Sequence, residues 1–284
     1  MDTQYTILIP DVLGGVCDQV EHFYKTINLV PSALCYSFDM RQVTFVRPYG
    51  VMALLNIARL LQHKTKRPVQ LFNLRQKVHS YLERTDLFHL SNKILCAKEQ
   101  PNEIWSRTGS RTMLELKLLH SEGNLDAIIK HAHSIFRADL GEDISGLIVI
   151  VLHELCSNVV QHSRDRCGAV LIQRCHDRYN QKIACIRVAV SDLGIGVQRS
   201  LSKKYPELNE SKRALQAVLE GRSSKSGKGG LGIRSVVRWA SDRGGNVWIR
   251  SDTVALMCNS HSTTIHRNLT PIQGTQVDVE FRAS

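Results

Sequence analysis

The feature that most constrains this chain is an apolar-periodic stretch from Ser145 to Ser163. Large apolar side chains recur there at every fourth position: Leu147, Val151, Leu155 and Val159. That spacing predicts an amphipathic helix whose apolar face enters a core. Glu154, Asn158 and His162 repeat at the same spacing, so a carboxylate, a carboxamide and an imidazole follow one another along a second face. Most polar helix faces are simply turned to water, so this helix alone assigns no chemistry.

The types of these side chains nevertheless permit phosphate chemistry. A carboxylate can take a proton from a nucleophile, and a carboxamide oxygen is a hard ligand that suits Mg²⁺. Zinc is disfavoured, because His153 and Glu154 begin like H-E-x-x-H but Ser157 stands where the second histidine is needed. The 8 cysteines form no C-x-x-C pair, and several lie in apolar segments where free cysteine behaves as a small hydrophobe.

Two glycine-containing stretches follow this helix. Val188–Gly196 predicts a buried strand that runs into Asp192 and the Gly-x-Gly turn of Gly194 and Gly196. Gly227–Ile233 is a glycine cluster that opens an apolar helix predicted for Ile233–Ala240. Backbone N–H groups can approach phosphate at such a place, since a helix N-terminus favours anions. Neither stretch has the spacing of a P-loop or of a dinucleotide-binding fingerprint.

In this order, the three stretches resemble the N, G1 and G2 boxes of the GHKL ATPase superfamily, which includes gyrase, heat-shock chaperones, histidine kinases and mismatch-repair proteins. The resemblance covers residues 124–284. It implies an α/β (α+β) fold, a sandwich with helices on one face of a mixed sheet, that binds ATP with Mg²⁺. Gln198–Ser226, with a helix predicted for Glu210–Glu220, stands where the family has its ATP lid. A disordered insertion is the alternative interpretation of that long segment.

The resemblance also implies a role for each matched residue. Glu154 resembles the general base, and Asn158 resembles the Mg²⁺ ligand. Asp192 resembles the carboxylate that accepts a hydrogen bond from the adenine amino group, while Gly194 and Gly196 let the base lie against the backbone. The residues predicted to bind phosphate are Lys228, Gly229, Gly230, Leu231 and Gly232, and Thr275 after Gly274 resembles the residue that hydrogen-bonds near adenine.

Two positions leave alternatives open. Lys228 stands at the first glycine of the common Gly-x-Gly-Leu-Gly pattern, so either it contacts a phosphate or the lid is reshaped. His162 is either a ligand contact or a core or capping histidine.

The first 100 residues are predicted to form a separate structural unit. Strands are predicted at Tyr5–Ile9 and Phe23–Val30. Farther on, the predicted elements alternate as strand, helix, strand and helix: Val43–Val46, Val51–Gln62, Pro68–Leu74 and Gln76–Leu87. This alternation favours a small α/β unit with parallel strands. It resembles a STAS domain over residues 1–100, with a linker over 101–123 and the ATPase domain over 124–284.

The STAS resemblance lacks one functional element. Phospho-regulated STAS domains have a serine at the turn where this chain has Arg47-Pro48-Tyr49-Gly50. We therefore expect a rigid strand-to-helix turn there, and an N-terminal unit that docks a partner protein, a second copy of the chain or the ATPase domain.

Composition bears on the kinds of partner and on the cellular location that we expect for this protein. The net charge of +11 is spread along the chain without a long basic run, so nucleic acid is disfavoured as a partner but stays open. No apolar run reaches the roughly 18 residues of a membrane helix, and the N-terminus does not resemble a signal peptide. We expect a cytoplasmic protein. By analogy with fusions of STAS and ATPase domains, we expect it to act in bacterial signalling.

These observations leave three hypotheses for function. The leading one is an ATP-binding regulatory protein that binds and hydrolyses Mg-ATP to control a protein–protein interaction. The second is a serine/threonine protein kinase of the anti-sigma type that acts on a separate protein. The third is a non-catalytic module that only senses nucleotide. Glu154 serves as the base in both of the first two, so the sequence does not separate them.

Overall fold

The computed structural model describes residues 4–14, 19–99, 112–165, 167–176, 183–223 and 232–282. Its contacts divide the chain into two compact units, Met1–Gly109 and Ser110–Ser284. Each unit has its own sheets and helices, and the two are described separately.

The N-terminal unit is built on a parallel sheet. Its strands are β1 (Gln4–Leu8), β3 (Cys35–Asp39), β5 (Val69–Phe72) and β6 (Leu95–Ala97), in the spatial order β1-β3-β5-β6. The short strands β2 (Val12–Leu13) and β4 (Phe45–Val46) form a second, parallel pair. The helices are α1 (Gln19–Asn28), α2 (Pro48–Thr65), α3 (Gln76–Arg84) and α4 (Leu87–Leu90). The predicted α/β unit with parallel strands is confirmed.

One predicted element of this unit is wrong. The sequence predicts a strand over Phe23–Val30, whereas the structure has helix α1 there. The buried side chains of α1 are Val20, Phe23 and Tyr24, and their i, i+3, i+4 spacing is that of one helix face. The sequence also did not predict β3, although four of its five residues are buried.

The C-terminal unit is built on a seven-stranded sheet. In chain order the strands are β7 (Met113–Leu119), β8 (Gly168–His176), β9 (Ile183–Ser191), β10 (Asn246–Asp252), β11 (Val254–Asn259), β12 (Thr263–His266) and β13 (Ile272–Arg282). Their spatial order is β12-β11-β10-β13-β9-β8-β7. Every pairing between neighbours in the described sheet is antiparallel, which corrects the expected mixed sheet.

Strand β7 also corrects the expected linker over residues 101–123. It lies within that range, yet it pairs with β8 at the edge of the seven-stranded sheet. The C-terminal unit therefore begins before residue 124. The rest of the expected linker, up to residue 111, lies outside the described residues.

A long helix, α5 (Glu122–Asn158), carries the polar face identified in the sequence. From the sequence, Asn124 is expected to cap a helix over Leu125–Phe136, and that expectation is wrong. The N-cap is Ser121, whose side chain accepts a hydrogen bond from the Asn124 backbone N–H. The sequence predicts that Gly141–Asp143 separates two helices, and the structure has a break at Gly141. A π-helical turn, Val159–Ser163, follows it.

Three further helices complete the unit: α6 (Gly196–Leu201), α7 (Ser211–Leu219) and α8 (Gly232–Asp242). The core lies between the helices and one face of the sheet. It joins apolar residues of α5 and α8 to alternate residues of the strands, among them Val151, Leu155, Val236, Val188, Val277 and Phe281. The α/β sandwich with helices on one sheet face is thus confirmed.

The other sheet face is buried as well, at least on β13. The alternation in β13 predicts a single buried face, but Gln276 and Asp278 are both buried beside Val277 and Val279. The polar side chains of this strand therefore do not mark a solvent face.

One helical run among the described residues, Glu122–Ser163, is long and apolar enough in composition to cross a membrane. The sequence predicts no such segment, because no uninterrupted apolar run is long enough. In the structure 56% of the most apolar window is buried inside the protein, where it supplies the core face of α5.

Candidate functional site

The polar face of α5 brings Glu154 to the start of helix α8. Glu154 is only 4% exposed, and its carboxylate Oε2 accepts a hydrogen bond of 2.9 Å from the Gly232 backbone N–H. The two residues are 78 positions apart in the chain. The carboxylate lies where the positive end of the helix dipole favours an anion. Asn158 follows one turn later and is half-buried.

The loop after β9 holds a second buried carboxylate, Asp192, which is 3% exposed. Its Oδ1 accepts a hydrogen bond from the Gly194 backbone N–H at 2.7 Å. Its own backbone N–H donates to the Thr275 carbonyl at 2.9 Å. Leu193 N–H donates to the Asp165 carboxylate at 2.7 Å. These bonds fix the orientation of Asp192 before any ligand binds.

Two glycines permit the chain to approach this loop closely. A Cβ on Gly194 would lie 1.9 Å from the Ser163 carbonyl oxygen. A Cβ on Gly274 would lie 2.1 Å from the Asp192 carbonyl oxygen, and Gly274 also has a φ of +87°. Both contacts are with backbone atoms, so only glycine fits at these positions.

Helices α6 and α7 close one side of the site. Their small core consists of Leu201, Leu208, Ala214 and Ala217. The predicted helix over Glu210–Glu220 is confirmed as α7, and the described part of the expected lid, residues 198–223, is folded. It is not a disordered insertion in that part.

These elements enclose a cavity of about 510 Å³. Its lining combines acidic, amide, basic and apolar side chains, including Glu154, Asn158, His162, Asp192, Lys204, Tyr205, Arg222 and Val277. A volume of this size suits a ligand of nucleotide dimensions.

Residues 143–283 match the family model described as histidine kinase-, DNA gyrase B-, and HSP90-like ATPase. Residues 143–283 are therefore an ATPase domain of this type. Membership implies ATP binding and chemistry of the ATPase or kinase type. A comparison with curated proteins finds no significant match to the chain.

The ATPase domain gathers most of the residues predicted from the sequence. The cavity is lined by Glu154, Asn158, Asp192, Gly196, Gly232 and Thr275. Gly194 does not line the cavity, but its backbone N–H donates a hydrogen bond to the Asp192 carboxylate. Lys228, Gly229, Gly230 and Leu231 lie outside the described residues, as does Gly227. The chemical roles assigned to all of these residues stay predictions.

His162 lies in the cavity wall, in the π-helical turn that ends the helical run. Of its two open interpretations, the position in the wall favours a ligand contact. π-Helical turns are frequent at functional sites.

Sequence reasoning missed several residues of the ATPase domain that shape the cavity. Lys204 and Arg222 bring positive charge to it from the lid segment. Ser251 accepts a hydrogen bond from Val197 N–H at 3.0 Å and donates one to the Gly274 carbonyl at 3.1 Å, which ties α6 to β10 and β13. The many basic residues of the lid segment were a signal for the first two. Ser251 gave no signal, because its partners are distant in sequence.

The donor set for Mg²⁺ in the ATPase domain is small. The described residues contain no group of three or more His, Cys, Asp or Glu side chains placed to hold a metal ion. Mg²⁺ commonly takes one or two protein oxygens and fills its other positions with substrate phosphates and water. The Asn158 amide oxygen in the cavity wall fits that mode, with ATP itself as a co-ligand.

Proposed function

We propose that this protein is an ATP-binding regulatory protein whose ATPase domain binds and hydrolyses Mg-ATP, and that the nucleotide controls how the N-terminal unit engages a protein partner. The observation that carries the proposal is the single cavity that holds Glu154, Asn158 and Asp192 together. A buried base, a metal-ligand amide and a base-recognising carboxylate in one nucleotide-sized cavity are the parts that such chemistry needs.

The Asp192 end of the cavity is suited to adenine. Asp192 presents a buried, oriented carboxylate, and carboxylates accept hydrogen bonds but do not donate them when ionised. The adenine amino group donates to such an acceptor, whereas the keto group of guanine would face it with a second acceptor. Val190, Val197 and Val277 supply apolar walls for the ring.

The Glu154 end of the cavity is suited to phosphate. The Gly232 N–H at the start of α8 already binds an anion, the Glu154 carboxylate. A phosphate bound to this N–H would compete with the carboxylate for the donor, so ATP binding would free the Glu154 carboxylate to accept another hydrogen bond. Glu154 is then placed to take the proton of an attacking water or hydroxyl group.

Lys204 and Arg222 line the same cavity from the lid segment. Their cationic side chains would balance charge on the phosphates. Asn158 would hold Mg²⁺, which neutralises phosphate charge and orients the leaving group.

The N-terminal unit is proposed to bind the partner, as its STAS-like organisation suggests. Strand β1 lies at the edge of its sheet, where backbone groups are open to pairing with another chain. Tyr5 and Leu8 on this strand are exposed apolar side chains. The turn at Arg47–Gly50 contains no serine or threonine, and its tyrosine, Tyr49, is buried at 2% exposure. This turn therefore offers no accessible phosphate acceptor.

The test is to incubate the purified protein with Mg-ATP labelled on the γ-phosphate, alone and with cell lysate. Glu154→Gln removes the base but keeps an acceptor for the Gly232 N–H, and Glu142→Gln, an exposed position on the same helix, is the matched control. We expect free phosphate to appear with the wild type and with Glu142→Gln, and to fall about a hundredfold or more with Glu154→Gln.

Other outcomes would replace the proposal. Label transferred to one lysate protein, with little free phosphate, would identify a kinase that acts in trans. Tight ATP binding without either reaction would identify a non-catalytic nucleotide sensor.

A further inference from the structure

A pair of cysteines lies outside the nucleotide cavity, at the end of the β8–β9 hairpin. Cys175 on β8 stands directly opposite Cys185 on β9 in the antiparallel register. Opposed residues in such a pair have Cα atoms about 4.5–5.5 Å apart. A disulfide joins Cα atoms about 4.4–6.8 Å apart, so residues paired in this register lie within the range that a disulfide spans. The register becomes irregular directly after the pair, between Cys175 and His176. Both cysteines are in the reduced, free state.

The two thiols differ in surroundings. Cys175 is half-buried, whereas Cys185 is buried at 8% exposure. The Cys185 thiol donates a hydrogen bond to the Cys175 sulfur, and the Arg187 guanidinium lies close to both. That bond is the main reason that the pKa of Cys175 falls to about 7, and the positive charge of Arg187 lowers it further. The same bond is the main reason that the pKa of Cys185 rises. The more accessible sulfur is thus the more nucleophilic one.

The other described cysteines lack this arrangement. Cys35, Cys96 and Cys258 face non-cysteine residues in their registers. Cys156 is fully buried in α5, and burial raises the pKa of its thiol. Cys167 is half-buried and precedes β8, outside the residues that pair with β9.

We propose that Cys175 and Cys185 form a reversible dithiol–disulfide site that reacts with small cellular disulfides of the glutathione type. The Cys175 thiolate attacks one sulfur of the small disulfide, forms a mixed disulfide and releases one small thiolate. Cys185 gives its proton to that thiolate and attacks the Cys175 sulfur, which expels the second small thiolate. The second small thiolate takes from solvent the proton that Cys175 lost when its thiolate formed. The protein thus loses two electrons and two protons, and one disulfide is reduced to two thiols.

The experiment uses the native full chain in buffers of graded glutathione to glutathione-disulfide ratio, with acid quenching, alkylation and peptide mass mapping. Cys175 and Cys185 are expected to lose alkylation together, to appear in one disulfide-linked pair, and to recover fully with dithiothreitol. The half-point is expected at a glutathione-disulfide fraction at least about tenfold lower than for the same chain in denaturant, since the sheet holds the sulfurs closer than a flexible loop does.

Three variants separate the steps. Cys175→Ser should leave Cys185 fully alkylated, and Cys185→Ser should stop at the mixed disulfide on Cys175. Cys167→Ser is the matched control and should leave the pairing unchanged. The wild-type map is decisive even if the buried Cys185→Ser variant does not fold. The proposal is overturned if the native wild type accumulates the mixed disulfide with Cys185 still reduced. The proposal is also overturned if the disulfide forms at the same glutathione-disulfide fraction in the native chain as in denaturant.

Discussion

Three hydrogen bonds hold Asp192, one to the turn that follows it and two to the neighbouring strand β13. Its carboxylate binds the following turn through Gly194, its backbone N–H binds Thr275, and its carbonyl accepts a hydrogen bond from the Gln276 side chain at 3.3 Å. The cost of ordering this carboxylate is therefore met during folding and not during ligand binding. A site prepared in this way loses affinity sharply when its acceptor changes.

We predict that Asp192→Asn weakens ATP binding by about tenfold or more, because a hydrogen bond to a charged acceptor contributes about 1.5–3 kcal/mol. Isothermal calorimetry measures the change in Kd. Asp126→Asn, on the exposed side of α5, is the control and should bind ATP as the wild type does. An unchanged Kd for Asp192→Asn would remove Asp192 from the adenine site.

The reactivity of Cys175 should depend on pH in a way that its neighbours explain. The groups that face it are the Cys185 thiol, the Arg187 guanidinium and the Glu280 carboxylate, which forms an ion pair with Arg187. With a pKa of about 7, about half of the Cys175 side chains are thiolates near neutral pH. One pH unit lower, about a tenth of them are thiolates.

We therefore predict that the alkylation rate of Cys175 reaches half its plateau near pH 7. Residue-specific alkylation followed by mass spectrometry measures this rate. Arg187→Gln should move the half-point to higher pH, since it removes a cation that stabilises the thiolate. A half-point that does not move in this variant would contradict the assigned role of Arg187.

Among the secondary-structure elements, helix α5 has a break at Gly141, which precedes the segment that carries Glu154. Gly141 has φ 74° and ψ 177°, a conformation that L-residues with side chains rarely adopt. The break lets the segment before it pack on the sheet in one direction and the segment with Glu154 in another. Glu142, just after the break, forms an ion pair with Arg137 just before it, at 2.7 Å.

We predict that Gly141→Ala destabilises the protein by about 1–3 kcal/mol, although no atom lies within 4 Å of the added methyl group. The matched control is Gly146→Ala, which is equally uncrowded but lies in regular helix, and which should stabilise by about 0.5–1 kcal/mol. Urea unfolding of the two variants gives both values. Equal effects at the two positions would show that the backbone angles of Gly141 carry no strain penalty.

At the scale of the whole molecule, the ligand cavity belongs to one of two compact units. A ligand that binds only the folded state stabilises it by RT ln(1 + [L]/Kd). Stabilisation by ATP should therefore appear in the unfolding of the C-terminal unit, which contains the cavity.

We predict that each tenfold rise in free ATP above its Kd adds about 1.4 kcal/mol to the stability of the ATPase domain, a shift of about 3–6 °C in its Tm. Differential scanning calorimetry at several Mg-ATP concentrations measures the shift. GTP at the same concentrations is the control ligand and should produce a smaller one. A Tm independent of ATP would contradict nucleotide binding by the folded domain.

Local pattern explains which parts of the fold were predictable. The periodicity of residues 145–163 and the strand that runs into Asp192 are properties of consecutive residues, so the sequence predicted both. Phe23–Val30 is short and apolar, and such segments suit a helix or a strand equally well until their neighbours are known. β7 does carry a local strand signal, since Leu114, Leu116 and Leu118 alternate with Glu115 and Lys117, and the expected linker overlooked it. Its place at the sheet edge comes from pairing with β8. The antiparallel sheet likewise depends on pairings between distant segments.

The amino-acid sequence specifies which chemical groups are present and on which local element each one lies. It predicted the Glu154–Asn158 helix face, the Asp192 turn and the parallel N-terminal unit. Which of these groups meet depends on contacts between segments that are distant in the chain. The bond from Gly232 to Glu154 spans 78 residues, and the buried Gln276 side chain reaches the Asp192 carbonyl across 84. Short-range periodicity encodes the first kind of information, whereas the second arises from sheet register and helix packing, which depend on the whole chain at once.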